Sequence, residues 1–212
     1  MHAKLWDHPQ LGLFGELPPP RITEAEMRER LSESFASVDP FLDFLQDRIS
    51  VQRNQLFRRV IHALPSLWVK RNARRPTGQP GYSLVHGDAH FWNFMYPKNP
   101  GTAPAYLIDW QSYEVSVPLI DLAYMIALHW YPERRARLER PLLRRYLDRL
   151  LAKGVEDYPW EECWEDYRRA TLTMFLTPMF FWAADLHAAI WWPHLERICL
   201  AYDDLACGEL LE

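Results

Sequence analysis

The chain has 212 residues, 49% of them hydrophobic, enough to bury one substantial core. A formal charge of −4 and the lack of a basic stripe argue against nucleic-acid binding. Three cysteines, Cys163, Cys199 and Cys207, form no C-x-x-C pair. Neither a disulfide framework nor a zinc site is therefore expected, and a reducing cytoplasm is the expected compartment.

The N-terminus shows no charged-then-apolar leader. Pro18-Pro19-Pro20 breaks the segment after Trp6 and predicts a surface turn. Thr23-Glu24-Ala25-Glu26 combines a capping threonine with early acids, predicting a helix from there to about Phe35. Pro40 predicts the opening of a second helix, from Phe41 to about Leu64, with apolar residues at Leu45, Ile49, Leu56, Val60 and Ile61. Lys70 to Pro80, polar, basic and rich in Gly and Pro, reads as a loop.

Ser83–His86 and Phe94–Tyr96 are short apolar and aromatic runs of buried-strand type, separated by a polar loop. Turn formers from Pro97 to Pro104 follow, and Ala105–Ile108 returns as a strand. The result is a hairpin with Asn93 on one side of its base and Asp109 on the other. From Leu119 onward helices are predicted at roughly 119–131, 133–153, 160–185 and 188–207. Arg134, Arg135, Arg137, Arg140, Arg144, Arg145 and Arg149 alternate with Glu133, Glu139 and Asp148, as on a solvated helix face. Ala170–Ala184 carries little charge but is too short to span a bilayer and contains Pro178, so a buried helix is expected there and no membrane anchor.

The chemistry concentrates in Leu84-Val85-His86-Gly87-Asp88-Ala89-His90-Phe91-Trp92-Asn93 and in Ile108-Asp109-Trp110-Gln111. Asp88 and Asn93 stand in the H-x-D-x-x-x-x-N spacing of kinase catalytic loops. There the aspartate orients and deprotonates an attacking hydroxyl and the asparagine holds magnesium. Asp109 follows an apolar strand, where a second magnesium ligand belongs. Taken singly, each acid is more often a turn or cap residue than a chemical one. Taken together, their order, spacing and strand–turn–strand setting point to phosphoryl transfer.

These motifs resemble the C-terminal lobe of the aminoglycoside phosphotransferase and choline kinase superfamily. Glycine in His86-Gly87-Asp88 favours this small-molecule branch of the kinase fold. Ile108-Asp109-Trp110-Gln111, with Asp88-Ala89-His90-Phe91-Trp92-Asn93, is similar to the ecdysteroid-kinase-like subgroup. Val117-Pro118-Leu119-Ile120-Asp121-Leu122-Ala123 resembles the helix that follows in that family. The resemblance implies an α+β, mostly helical kinase-like lobe with a catalytic β-hairpin, using ATP and Mg2+ on a small-molecule alcohol. It further implies Asp88 as base, Asn93 and Asp109 as magnesium ligands, His86 and Asp121 as braces, and Met95 and Ile108 as the apolar floor beneath adenine. The expected layout is one unit over 1–212: leading helices and loop (1–82), catalytic hairpin (83–111) and helical subdomain (112–212).

The family's strand-rich N-terminal lobe, with its phosphate-covering loop and phosphate-pairing lysine, has no counterpart in the sequence. Met1-His2-Ala3-Lys4-Leu5-Trp6 resembles the interior of the first C-lobe helix, so a shortened chain is expected, its missing lobe supplied upstream or in trans. Two functions follow: a small-molecule kinase, or a non-catalytic remnant that binds a ligand or partner. For the acceptor, the aromatic residues Trp110, Trp130, Tyr131, Trp182, Trp191 and Trp192 are candidates for a cage or for core. Glu114, Asp185, Asp203 and Asp204 are candidates for a cationic acceptor or for plain solvation. Trp110, Glu114 and Trp130 are the chosen substrate-contact candidates, and the aromatic content leans towards a flat or apolar alcohol.

Overall fold

The computed structural model describes residues 1–17, 22–76, 79–99 and 101–212. The turn expected at Pro18-Pro19-Pro20 lies outside the described residues, as do Thr77, Gly78 and Pro100 within the two expected loops. Thr23 opens α1 (Glu24–Arg30) with a capping box: its hydroxyl accepts from the Glu26 N–H, and the Glu26 carboxylate accepts from the Thr23 N–H. A short α2 (Ser32–Ala36) follows. The helix expected from Phe41 to Leu64 is two helices. α3 (Val38–Leu45) stops at Gln46, whose φ is 40°. Ser50 then caps α4 (Val51–Arg74) by accepting from the Arg53 N–H at 3.2 Å. Pro40 sits in the first turn of α3, where its missing N–H leaves no bond unmade.

α4 also runs through the first part of the expected loop at Lys70–Pro80. The reason lies across the molecule. Arg71 is buried and pairs at 2.9 Å with Asp166, whose carboxylate also accepts from the Tyr158 hydroxyl at 3.0 Å. Arg71 donates in addition to the Pro80 carbonyl. A buried charge is tolerated only when paired and hydrogen-bonded, and this one ties the end of α4 to the chain entering the first strand. Met1–Trp6, read as helix interior, forms a single 3-10 turn at His2–Lys4. It docks on the same entry: Trp6 packs against Tyr158 at 4.8 Å, and Asp7 accepts from the Gly81 and Tyr82 N–H groups.

β1 (Ser83–Val85) pairs antiparallel with β4 (Glu114–Ser116), and β2 (Phe94–Met95) pairs antiparallel with β3 (Tyr106–Leu107). β2 and β3 form a hairpin within the expected runs Phe94–Tyr96 and Ala105–Ile108, but each strand has only two residues and Met95 and Tyr96 are exposed, not buried. β4 lies outside the expected strands: Glu114-Val115-Ser116 carries too little β signal to be read as one, and pairing with β1 creates it.

The remaining elements are α5 (Leu119–Ala127), α6 (Pro132–Leu151), α7 (Trp160–Thr173), α8 (Leu176–Ala183) and α9 (Ala188–Asp204). The expected 160–185 helix is interrupted between Thr173 and Leu176, which places Pro178 in the first turn of α8. The arginine face of α6 is less solvated than expected. Arg135 is buried and paired with Asp204, while Arg140 and Arg144 lie over the Trp164 and Trp160 rings at 4.3 and 3.5 Å. α5 is apolar almost all round and packs on α7, with Leu119, Ala123, Ala127, Tyr167 and Ala170 fully buried. Each large side chain so buried contributes about 2 kcal/mol. Among the described residues, no helix is long and apolar enough to cross a membrane. The three thiols are free, and burial pushes those of Cys163 and Cys207 up to about 12, so they are poor nucleophiles.

Candidate active site

Polar residues between β1 and β2 have no ladder to join, so side chains must hold this loop. Asp121, in the first turn of α5 and 5% exposed, does most of that. Its carboxylate accepts from the His86 N–H at 2.8 Å and the Gly87 N–H at 2.9 Å, and the His2 ring lies 3.2 Å away. His86 is fully buried. Its Nε2 lies 2.8 Å from the Ile108 carbonyl, which can only accept, so Nε2 carries the hydrogen and Nδ1 accepts from the Asp88 N–H at 3.2 Å. One ring thus ties the Asp88 loop to the residue preceding Asp109. Gly87 has φ +80°, and any Cβ there would strike the Ser112 carbonyl. Only glycine fits between the loop and the chain that leads into β4.

Asp88 and Asn93 are brought together. The Asn93 amide donates to the Asp88 carbonyl at 2.9 Å and to its carboxylate at 3.0 Å, and His90 Nε2 lies 3.4 Å from the same carboxylate. With its nitrogen turned to Asp88, Asn93 has Oδ1 left to meet a cation. The Ile108 N–H donates to the Asn93 carbonyl at 2.9 Å, extending the hairpin ladder by one bond. Asp109, next along, adopts a left-handed conformation (φ 63°, ψ 61°), and its exposed side chain does not cap the turn after it. Among the described residues, no group of three or more His, Cys, Asp or Glu could hold a metal. One carboxylate and one amide oxygen still suit magnesium, which keeps several waters and is shared with substrate phosphates.

Asp88 opens onto a cavity of about 720 Å³. Its wall includes Trp68, Tyr82, Trp92, Tyr124, Phe180 and Phe181, with Glu114 at one side and no lysine or arginine among the described residues. Glu114 is exposed at the cavity wall; the protein packed around it raises its carboxyl above the usual range, and the Asp121 charge adds to this. Burial, with Asp88 close by, raises the Tyr124 phenol.

Of the three substrate-contact candidates, Glu114 lines this cavity and the two tryptophans do not. Trp110 packs edge-on against His86 at 4.8 Å and donates to the Leu107 carbonyl. Trp130 is buried, with Arg134 over its ring at 4.5 Å. Trp182 and Trp191 pack against Phe41 as core. Asp203 and Asp204 pair with Arg53 and Arg135, away from the cavity. His90, Tyr124, His129 and His194 escaped the sequence reading. Only His90, two residues beyond Asp88, carried a positional signal, since a single histidine amid apolar residues reads as core.

On the outer side, register and exposure agree. Met95 faces Tyr106 across the ladder, and the two are 60% and 61% exposed; Ile108, on the Tyr106 face, is 41% exposed. Phe94 and Leu107 point the other way, into a hollow beside Ala89 and Leu122.

The braced acidic loop thus stands at the mouth of a cavity in a mostly helical α+β protein. The model of the phosphotransferase enzyme family matches residues 10–162, and the chain belongs to that family, within the aminoglycoside phosphotransferase and choline kinase superfamily. No curated protein and no solved structure matches it.

Proposed function

We propose that the chain transfers the γ-phosphoryl group of ATP to a hydroxyl of a small molecule held in the Asp88 cavity. One observation carries this reading: the Asp88 carboxylate, oriented by Asn93, lies at the wall of a cavity large enough for a small-molecule acceptor. Asp88 accepts the proton of the acceptor hydroxyl while the oxygen attacks phosphorus and the bond to the leaving phosphate breaks. Asn93 and Asp109 would hold magnesium, which supplies positive charge at the transferred phosphate. His86 and Asp121 keep the loop from drifting, which matters because positioning supplies most of the rate in this chemistry.

Met95, Tyr106 and Ile108 form the floor for adenine, and a covering lobe, supplied upstream or in trans, closes it from above. The apolar wall favours an alcohol with an aromatic or aliphatic body over a polycationic sugar, in keeping with the ecdysteroid-kinase-like motif at Ile108-Asp109-Trp110-Gln111. Free, unreactive cysteines suit a reducing cytoplasm. Family membership supports this reading over a non-catalytic remnant.

The test is transfer of label from γ-labelled ATP to a panel of alcohols, with Asp88→Asn as control. Transfer that needs Asp88 and magnesium supports the proposal. Transfer unaffected by Asp88→Asn refutes the assignment of the base, and the lack of any transfer with a covering lobe restored refutes the enzyme.

A further inference from the structure

Three imidazoles gather on one wall of the cavity beside Asp88. Ring centroids of His90 and His129 lie 5.7 Å apart, and those of His129 and His194 lie 4.9 Å apart. Each ring is held by a bond that decides which nitrogen is left over. His129 Nδ1 lies 2.8 Å from the Tyr124 carbonyl, and His194 Nδ1 lies 3.0 Å from the Leu128 carbonyl. A carbonyl oxygen only accepts, so both Nδ1 atoms carry the hydrogen and both Nε2 atoms are bare in the neutral rings.

Burial lowers both imidazoles, His129 to about 4, so both are neutral near physiological pH. The neighbouring His90 and Arg197 push the same way. His90 turns Nε2 towards Asp88, and its Nδ1 is buried with no hydrogen-bond partner among the described residues. The wall therefore presents bare ring nitrogens and, as noted, no cationic side chain. Of these atoms, only the His90 Nδ1 is buried and unpaired among the described residues, whereas His129 and His194 line the cavity, where a ligand that brings a donor can reach them. The three histidines do not themselves form a metal cage.

We infer that His129 and His194, with His90, are specificity-determining residues that accept a hydrogen bond from a second donor group of the acceptor. The acceptor class is then an alcohol with an apolar body and at least one further hydroxyl. Trp68, Trp92, Phe180 and Phe181 take the body, and the histidines take the hydroxyl that does not react. Sites built to bond a hydroxyl discriminate strongly against analogues without it, because their own polar groups go unpaired. This deepens the proposed phosphotransfer and relies on it only for which hydroxyl reacts at Asp88.

Equilibrium binding without nucleotide tests the wall apart from catalysis. The probes are phenylethylene glycol and its terminal methyl ether, which keeps the oxygen and loses the donor. Each is titrated into the full chain by ligand-observed NMR. The glycol should bind about five-fold or more tighter than the ether, the range expected for one neutral hydrogen bond. His129→Phe with His194→Phe should close that gap, and His129→Gln with His194→Gln, which restores acceptors, should reopen it in part. Thermal melts establish that each variant is folded. Equal affinity of glycol and ether, no binding of the glycol, or a gap that survives the phenylalanine variants overturns the inference. A gap that persists when no acceptor is phosphorylated would leave the histidine wall standing and refute the phosphotransfer reading alone.

Discussion

The two sides of the Asp88 loop differ in how far they are finished. On the inner side, Asp121, His86 and Gly87 hold the loop by short bonds and close contacts, and the cavity wall is furnished with oriented rings. On the outer side, Met95, Tyr106 and Ile108 lie open beside the exposed Asp109. In the proposed reading the inner side takes the acceptor, where fixed geometry gives selectivity. The outer side takes the nucleotide, whose apolar ring needs area more than direction.

The sharpest way to break this division is at Asp88. If the inner side is the acceptor site, Asp88→Ala should lower phosphotransfer by about a thousand-fold or more, in the range of a lost general base. Its melting temperature should hardly change. A large drop in melting temperature with activity partly retained would make Asp88 a structural residue.

Next in size is the brace. Asp121→Ala leaves two backbone N–H groups without an acceptor, at about 1–3 kcal/mol each, so a loss of about 3 kcal/mol is expected in denaturant titrations. Activity should fall with it, and Asp121→Asn, which retains one acceptor oxygen, should be milder. An unchanged midpoint for Asp121→Ala would show that the loop is held by other means.

The inner side should also respond to acid. In the unfolded chain an imidazole takes its proton near pH 6.5, whereas His129 in the fold takes it only near 4. Between those values the unfolded state holds more protons, so stability present above pH 6.5 is lost as pH falls. The loss from His129 is of the order of 3 kcal/mol below both values, with His194 adding in the same direction. Unfolding midpoints for His129→Phe should therefore depend less on pH across that window. An identical pH profile for the variant would remove His129 from the neutral wall.

The smallest effect on stability belongs to the outer side. Met95→Ser should change it by about 0.5 kcal/mol or less, as for other exposed positions. The same change, with Ile108→Ser, should weaken nucleotide binding several-fold while glycol binding in the cavity stays as it was. A matching loss on both sides would merge the two regions into one site.

Much of the site was legible in the sequence because its chemistry depends on local spacing. His86, Gly87, Asp88 and Asn93 lie on one loop, and the turn formers from Pro97 to Pro104 bring Asp109 back beside Asn93 within the same hairpin. Asp121 was legible through the family's motif, and the capping box at Thr23 through its own residues. What the sequence could not decide depended on partners far along the chain. Arg71 reads as solvated until Asp166 arrives from α7, and that pair carries α4 past its expected end. Glu114-Val115-Ser116 becomes a strand only against β1. Trp110 and Trp130 read as pocket residues, yet packing sends them to His86 and into the core. His129 lies in the turn after α5 and His194 on α9, and only the packing of α9 beside the end of α5 brings their rings within 5 Å. Local spacing along the chain wrote the candidate loop around Asp88, whereas the wall that would choose its substrate is assembled from side chains that meet only when the helices pack.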